Sequence, residues 1–305
     1  MVESSPIPHL VFMPPQSSQA SAPMPTSTPL PPNSQKPTTS NPKAAAGEHS
    51  SKPSPKFDLP KIRLEIRDLN HEGSLTFLKA VIASKALEES VQSVLSLLYH
   101  SPDSPTTTVP TTRSVTLILR SMPGVAYTTG SELDDDHKEI HFSLDYIHGI
   151  SKSRKKDEIM GVLTHEMVHC YQYNAFNTCP GGLVEGVADW VRLNADLSPP
   201  HWKRDATGKW DAGYQHTGYF LQYLEVRFGK GTVARLNEKL RIGKYHGKRF
   251  WTELVGRPVE QLWGDYSDAL EKEKRDSEED KCVVIEKVDA SSPKTTGAAS
   301  TPTTT

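Results

Sequence analysis

Leu163 to Leu193 reads LTHEMVHCYQYNAFNTCPGGLVEGVADWVRL, and the fold is organised around it. The longer run RKKDEIMGVLTHEMVHCYQYN has helical periodicity, with Met160, Leu163, Met167 and Cys170 on one stripe and His165 and His169 on another. Residues four apart in a helix stand one above the other, with Cβ atoms about 5–6 Å apart. Two imidazoles so placed reach one ion at Zn–N distances of about 2.0–2.1 Å. Glu166 lies on the flank of that face, too far round to ligate but able to reach a water in the ion's open position. H-E-x-x-H therefore combines two ligands with a general base. An inert surface pair of histidines would leave Glu166 without a role.

The third ligand has to come from another element, because one helix offers one face. Six residues beyond His169, where a metzincin carries a further histidine, this chain has Ala175. Further on come Glu185 and Asp189, in a second apolar-periodic helix, LVEGVADWVRLNA, that begins after CPGG. Gly181 and Gly182 permit a tight reversal that returns this helix against the first. By the same spacing rule Glu185 and Asp189 share a face, so one can bind metal while the other holds a ligand histidine by its second nitrogen. The plainer alternative is an exposed carboxylate pair. Their neighbours in GLVEGVADWV are apolar, however, and unpaired carboxylates there would be costly.

Around this segment the chain divides into three. Residues 1–56 are mostly Pro, Ser, Thr and Ala without apolar periodicity, the composition of a disordered tail, and residues 276–305 read the same way. Residues 57–275 have the size of one domain with its own core. Within them KIRLEIRDL alternates as a strand, and SLTFLKAVIASKALEESVQSVLSLLYH reads as one long amphipathic helix. RSVTLILR, GVAYTTG and KEIHFSLDYI read as strands. After the H-E-x-x-H helix come YQHTGYFLQYLEVRF, TVARLNEKL and VEQLWGDYSDALEKE, all helical in pattern. Strands with one long helix, then a run of helices, make the class α+β with a mixed sheet and a mainly helical C-terminal part.

Composition narrows the function. A net charge of −2 argues against nucleic acid or an acidic membrane as the main partner. No stretch approaches the roughly 18 apolar residues of a membrane helix. The start lacks the apolar core and basic lead of a signal peptide, which favours a cytoplasmic location. The three cysteines, Cys170, Cys179 and Cys282, are too few and odd for a disulfide framework, and free thiols are expected over the alternative of a Cys170–Cys179 bridge. Asp134–Asp136 lacks the spaced ligands of a calcium loop and reads as a solvated turn.

HEMVHCYQYN…PGGLVEGVADWVRL, with GVAYTTGSELDDDHKEIHFSLDYI and WDAGYQHTGYFLQYLEVRFG, resembles the plant basic secretory proteins and their fungal and bacterial relatives, the peptidases of plants and bacteria. The likeness runs from about Lys61 to Glu273. It implies a zincin-like fold of the gluzincin type and a zinc-dependent peptidase, with the glutamate of the E-G-x-A segment, here Glu185, as third ligand and one Zn2+ per chain. Plant members are typically secreted and basic, whereas this chain is nearly neutral, so the resemblance does not carry a location over. On this reading His165, His169 and Glu185 hold the ion, Asp189 orients a histidine, and Glu166 takes a proton from water attacking the scissile carbonyl. The substrate is a peptide or protein, and the chain is expected to be a monomer. Tyr214 is the candidate oxyanion donor, ahead of His216 and Tyr127. The strand EIHFSL is a candidate sheet edge for an extended substrate, with His141 on it as packing. Two other classes compete. A defence or interaction protein on the same scaffold would need no base at Glu166. A structural zinc domain would prefer a closed site with cysteines, yet Cys170 points off the histidine face.

Overall fold

The computed structural model describes residues 57–104, 107–132 and 134–289, with side chains described as far as Glu278. The whole of the expected N-terminal tail, residues 1–56, and residues 290–305 of the C-terminal one lie outside these. The described chain is α+β, with a small mixed sheet and mostly helical content. Its strands are β1 (Lys61–Ile66), β2 (Ser114–Arg120), β3 (Ala126–Gly130) and β4 (His137–Ser143). They lie in the order β1-β2-β4-β3, with β1–β2 and β2–β4 parallel and β3–β4 antiparallel.

Parallel neighbours need a crossover. Helices α1 (Glu72–Ala80) and α2 (Ala83–Leu98) supply it between β1 and β2. The single long helix expected there is broken at Val81 and Ile82, whose φ/ψ of −139°/153° and −88°/108° are extended. Two consecutive β-branched residues make this the weakest point of the helical pattern. Packing then separates the halves, with α1 against α3 (Leu144–Gly149) and α2 against α4 (Lys155–His169). The strand expected over KEIHFSLDYI likewise ends early, at Ser143. The Ser143 hydroxyl accepts from the Tyr146 N–H as an N-cap, turning LDYI into α3.

Helix α4 is not a surface helix with one apolar stripe. Every residue from Ile159 to Val168 is buried, His165 and Glu166 included. Leu87, Val91 and Val94 of α2 belong to the same core, as do Leu117 and Leu119 of β2 and Ile140 and Phe142 of β4. The register sets Leu117 beside Ile140 and Leu119 beside Phe142, so one sheet face supplies all four. Helix α5 (Gly181–Asn194) packs against α4 and also, extensively, against α6 (Tyr214–Phe228). Then come α7 (Thr232–Ile242), α8 (Gly247–Val255) and α9 (Val259–Asp289). Phe220 of α6 packs among Trp251, Trp263 and Tyr266, which ties α6 to α8 and α9. Helix α9 continues past Arg275 into the segment read as a tail, carried by the helix-favouring run EKEKRDSEEDK. No helix of the described residues is long and apolar enough to cross a membrane.

The start of α5 approaches the loop before α6 closely enough that glycine is required. A methyl group on Gly182 would overlap the Asp211 carbonyl oxygen, and its carbon and the Gly213 nitrogen are also within contact range. These are backbone atoms and cannot swing aside. We expect Gly182→Ala to destabilise the protein by about 1–3 kcal/mol, the usual cost of overpacking, measured as a lower midpoint in urea. A midpoint equal to that of the parent would show that the two segments separate easily.

Candidate metal centre

The α4 and α5 helices bring four of the expected side chains together. His165 Nδ1 lies 2.7 Å from Asp189 Oδ1, and its Nε2 lies 3.1 Å from Glu185 Oε2. His169 Nε2 stands 3.4 Å from His165 Nε2 and 3.8 Å from Glu185 Oε2. One ligand atom from each of His165, His169 and Glu185 thus falls in a cluster no wider than 4.8 Å, the only such group of three among the described residues. The i, i+4 spacing on α4 sets the two rings edge to face, 5.1 Å apart between centroids and nearly perpendicular. The same spacing on α5 puts Asp189 one turn beyond Glu185, so each carboxylate meets a different nitrogen of His165.

The donor set fits a small divalent ion. Four ligands at tetrahedral angles and about 2.0–2.1 Å from zinc stand about 3.3–3.4 Å from one another, and the three separations here are 3.1, 3.4 and 3.8 Å. Electrostatics points the same way. Glu166, Glu185 and Asp189 gather around two imidazoles in a site that is largely buried, a concentration of negative charge that calls for a cation. Without a metal, a proton partly fills that need. Burial disfavours charge on His165, but Asp189 and Glu185 outweigh it and push the ring up to about 10. Burial holds the His169 ring below its ordinary value, against the pull of Glu185. Glu185 is partly buried, which would raise its carboxyl, yet the hydrogen bond from His165 and the nearby His169 hold it below the usual range.

Glu166 is turned toward the sheet. Thr128 of β3 places its hydroxyl oxygen 2.8 Å from Glu166 Oε2 and 2.9 Å from the Glu166 carbonyl oxygen, and its one proton serves either acceptor. The sequence does not mark Thr128 out, because nothing in a strand's alternation shows which helix it faces. Tyr214 opens α6 in a left-handed conformation, φ 46°, with its ring stacked 6.2 Å from that of His165. Burial, with Glu185, Asp189 and Glu166 nearby, pushes its phenol up, so it stays a hydrogen-bond donor at neutral pH. His216 packs instead against Trp263, at 5.0 Å. Tyr127 stacks on His141 at 4.5 Å, and His141 is buried. Cys170 is a buried free thiol that bonds back to the Glu166 carbonyl, and Cys179 is also free.

The strand expected to be the sheet edge is not one. β4 is flanked on both sides, by β2 and β3, and the edges are β1 and β3. The edge next to α4 is therefore AYTTG rather than EIHFSL.

A family model described as peptidase of plants and bacteria matches residues 59–266. No curated protein and no solved structure matches this chain.

Proposed function

This chain belongs to the family of peptidases of plants and bacteria, and on that premise we propose that it is a zinc-dependent peptidase with a zincin-like catalytic domain. The observation that carries this reading is the convergence of His165 Nε2, His169 Nε2 and Glu185 Oε2 beside a carboxylate, Glu166, that lies outside their triangle. His165, His169 and Glu185 would hold one zinc ion. When bound, the ion supplies Lewis acidity and draws the pKa of water in its open position toward about 7.

The chain's own groups do the rest. Asp189 accepts from Nδ1–H of His165 and so leaves the Nε2 lone pair free for a ligand bond. Glu166 takes the proton from the attacking water and passes it to the leaving amine. The Tyr214 phenol donates to the carbonyl oxygen as negative charge develops on it. Substrate lies along β3. The Val125 carbonyl accepts from Ser143, and Ser131 donates to the His137 carbonyl, so odd-numbered residues of β3 face β4. By the alternation of antiparallel strands, Ala126, Thr128 and Gly130 turn their backbone groups to the outer edge. An extended peptide pairing there would be held by the same residue, Thr128, whose side chain holds Glu166.

The test is metal content and cleavage together. The purified protein should contain about one zinc per chain and cleave an unfolded protein substrate, lose activity to a chelator, and recover it with added zinc. Cleavage that persists in metal-stripped protein would overturn the proposal. Thr128→Val removes the hydroxyl and keeps the shape of the residue. It should leave zinc content unchanged and reduce kcat by about 10-fold, as loss of a supporting hydrogen bond does. An unchanged kcat would mean that Glu166 needs no such holding.

A further inference from the structure

We propose that Gln172 is a positioning residue for His169, accepting a hydrogen bond from His169 Nδ1–H through its side-chain carbonyl and thereby presenting the Nε2 lone pair to the metal. The inference rests on the zinc reading above and goes beyond the residues assigned there.

Its starting point is an asymmetry between the two histidines. His165 has a carboxylate on its far nitrogen, but among the described residues the far nitrogen of His169 has no carboxylate hydrogen-bonded to it. The Gln172 side-chain amide is there instead, with its Nε2 placed 2.6 Å from Nδ1. A neutral imidazole carries one proton, and the nitrogen that keeps it cannot ligate. For Nε2 of His169 to bind a cation, Nδ1 must hold the proton and the group opposite must accept it. An amide has a donor end and an acceptor end, and half a turn about its terminal bond exchanges them at the same place. The metal-binding state selects the carbonyl end.

The backbone around Gln172 is held so that this contact is built in. Helix α4 ends at His169, but the chain stays curled, with Tyr171 and Gln172 N–H groups both bonding to the Val168 carbonyl. This keeps Gln172 within one turn of His169. Three side chains from distant elements pin the same segment. Thr112 donates to the Cys170 carbonyl, Tyr99 donates to the Tyr171 carbonyl, and Asn237 of α7 accepts from the Tyr173 N–H. The residues on both sides of Gln172 are therefore fixed, and its amide lacks the freedom of an exposed glutamine. Fixing the ring's tautomer and orientation this way strengthens a ligand, and losing the partner costs about 10–100-fold in metal affinity.

The experiment compares Gln172→Glu and Gln172→Met with the parent, titrating zinc against a competing chelator and following thermal unfolding of the metal-free proteins. Glutamate keeps an acceptor and loses the donor, whereas methionine keeps the length and loses both. Zinc affinity should fall about 10–100-fold in Gln172→Met and be retained or tightened in Gln172→Glu. Equal loss in both variants, or loss only in Gln172→Glu, would overturn the proposal, as would unchanged affinity in Gln172→Met. A parent protein that binds no zinc would refute the peptidase reading itself, a different outcome from a parent that binds zinc beside an indifferent Gln172→Met. Should Gln172→Met fail to fold, Gln172→Glu still decides, because a donor role requires it to bind zinc less tightly than the parent.

Discussion

Glu166→Gln should retain about one zinc per chain and lose turnover by a factor of about 10²–10⁴, the usual contribution of a general base. The two halves of that result have separate structural causes. Glu166 lies outside the triangle of His165, His169 and Glu185, so the substitution removes no ligand atom. Glutamine is nearly the same size and still accepts from the Thr128 hydroxyl, so the contact between β3 and α4 survives. What the proposed mechanism loses is the capacity to take a proton from water and return it to the amine. Zinc content by elemental analysis and the initial rate on an unfolded protein substrate test both halves. Near-parental cleavage would mean that another group carries the proton, and lost zinc would place Glu166 among the ligands.

The second large effect separates the two carboxylates of α5. Purified Glu185→Ala should contain little zinc, because the change deletes one of the three proposed ligand atoms and leaves a gap where Oε2 stood, 3.1 Å from His165 Nε2. Asp189→Asn should keep the metal but bind it about 10–100-fold more weakly. Asparagine can still accept from Nδ1–H of His165 through its carbonyl oxygen, but without the charge that makes the ring a stronger ligand. Titration of both proteins against a chelator gives the ranking. The reverse order would move Asp189 into the ligand set.

Much of the candidate site was legible because helix geometry is local. The four-residue spacings of His165 with His169 and of Glu185 with Asp189 determine a shared face before any tertiary contact forms. Pro180 and the glycines after it mark the turn between the two helices. Family membership was legible for a related reason, since P-G-G-L-x-E-G-x-A-D packs several such constraints into one short stretch. The breaks in the elements were harder to see. Val81 and Ile82 fit an amphipathic helix by pattern; their branching weakens the helix there, and the diverging partners of α1 and α2 decide the break. In KEIHFSLDYI the apolar spacing suits strand and helix alike, and the cap at Ser143 settles it.

By itself the sequence determined the class of fold from the order of its elements, the family from its motifs, and the two helix faces that carry imidazoles and carboxylates from four-residue spacings. Tertiary structure decided how those faces meet. It set Glu185 against Nε2 and Asp189 against Nδ1 of the same histidine, placed the Thr128 hydroxyl on Glu166, and made β3 rather than β4 the sheet edge. Those choices depend on the angle and distance between elements far apart in the chain. Close packing sets these through contacts such as Gly182 on the Asp211 backbone and Gly186 on Thr217, and no local periodicity encodes them.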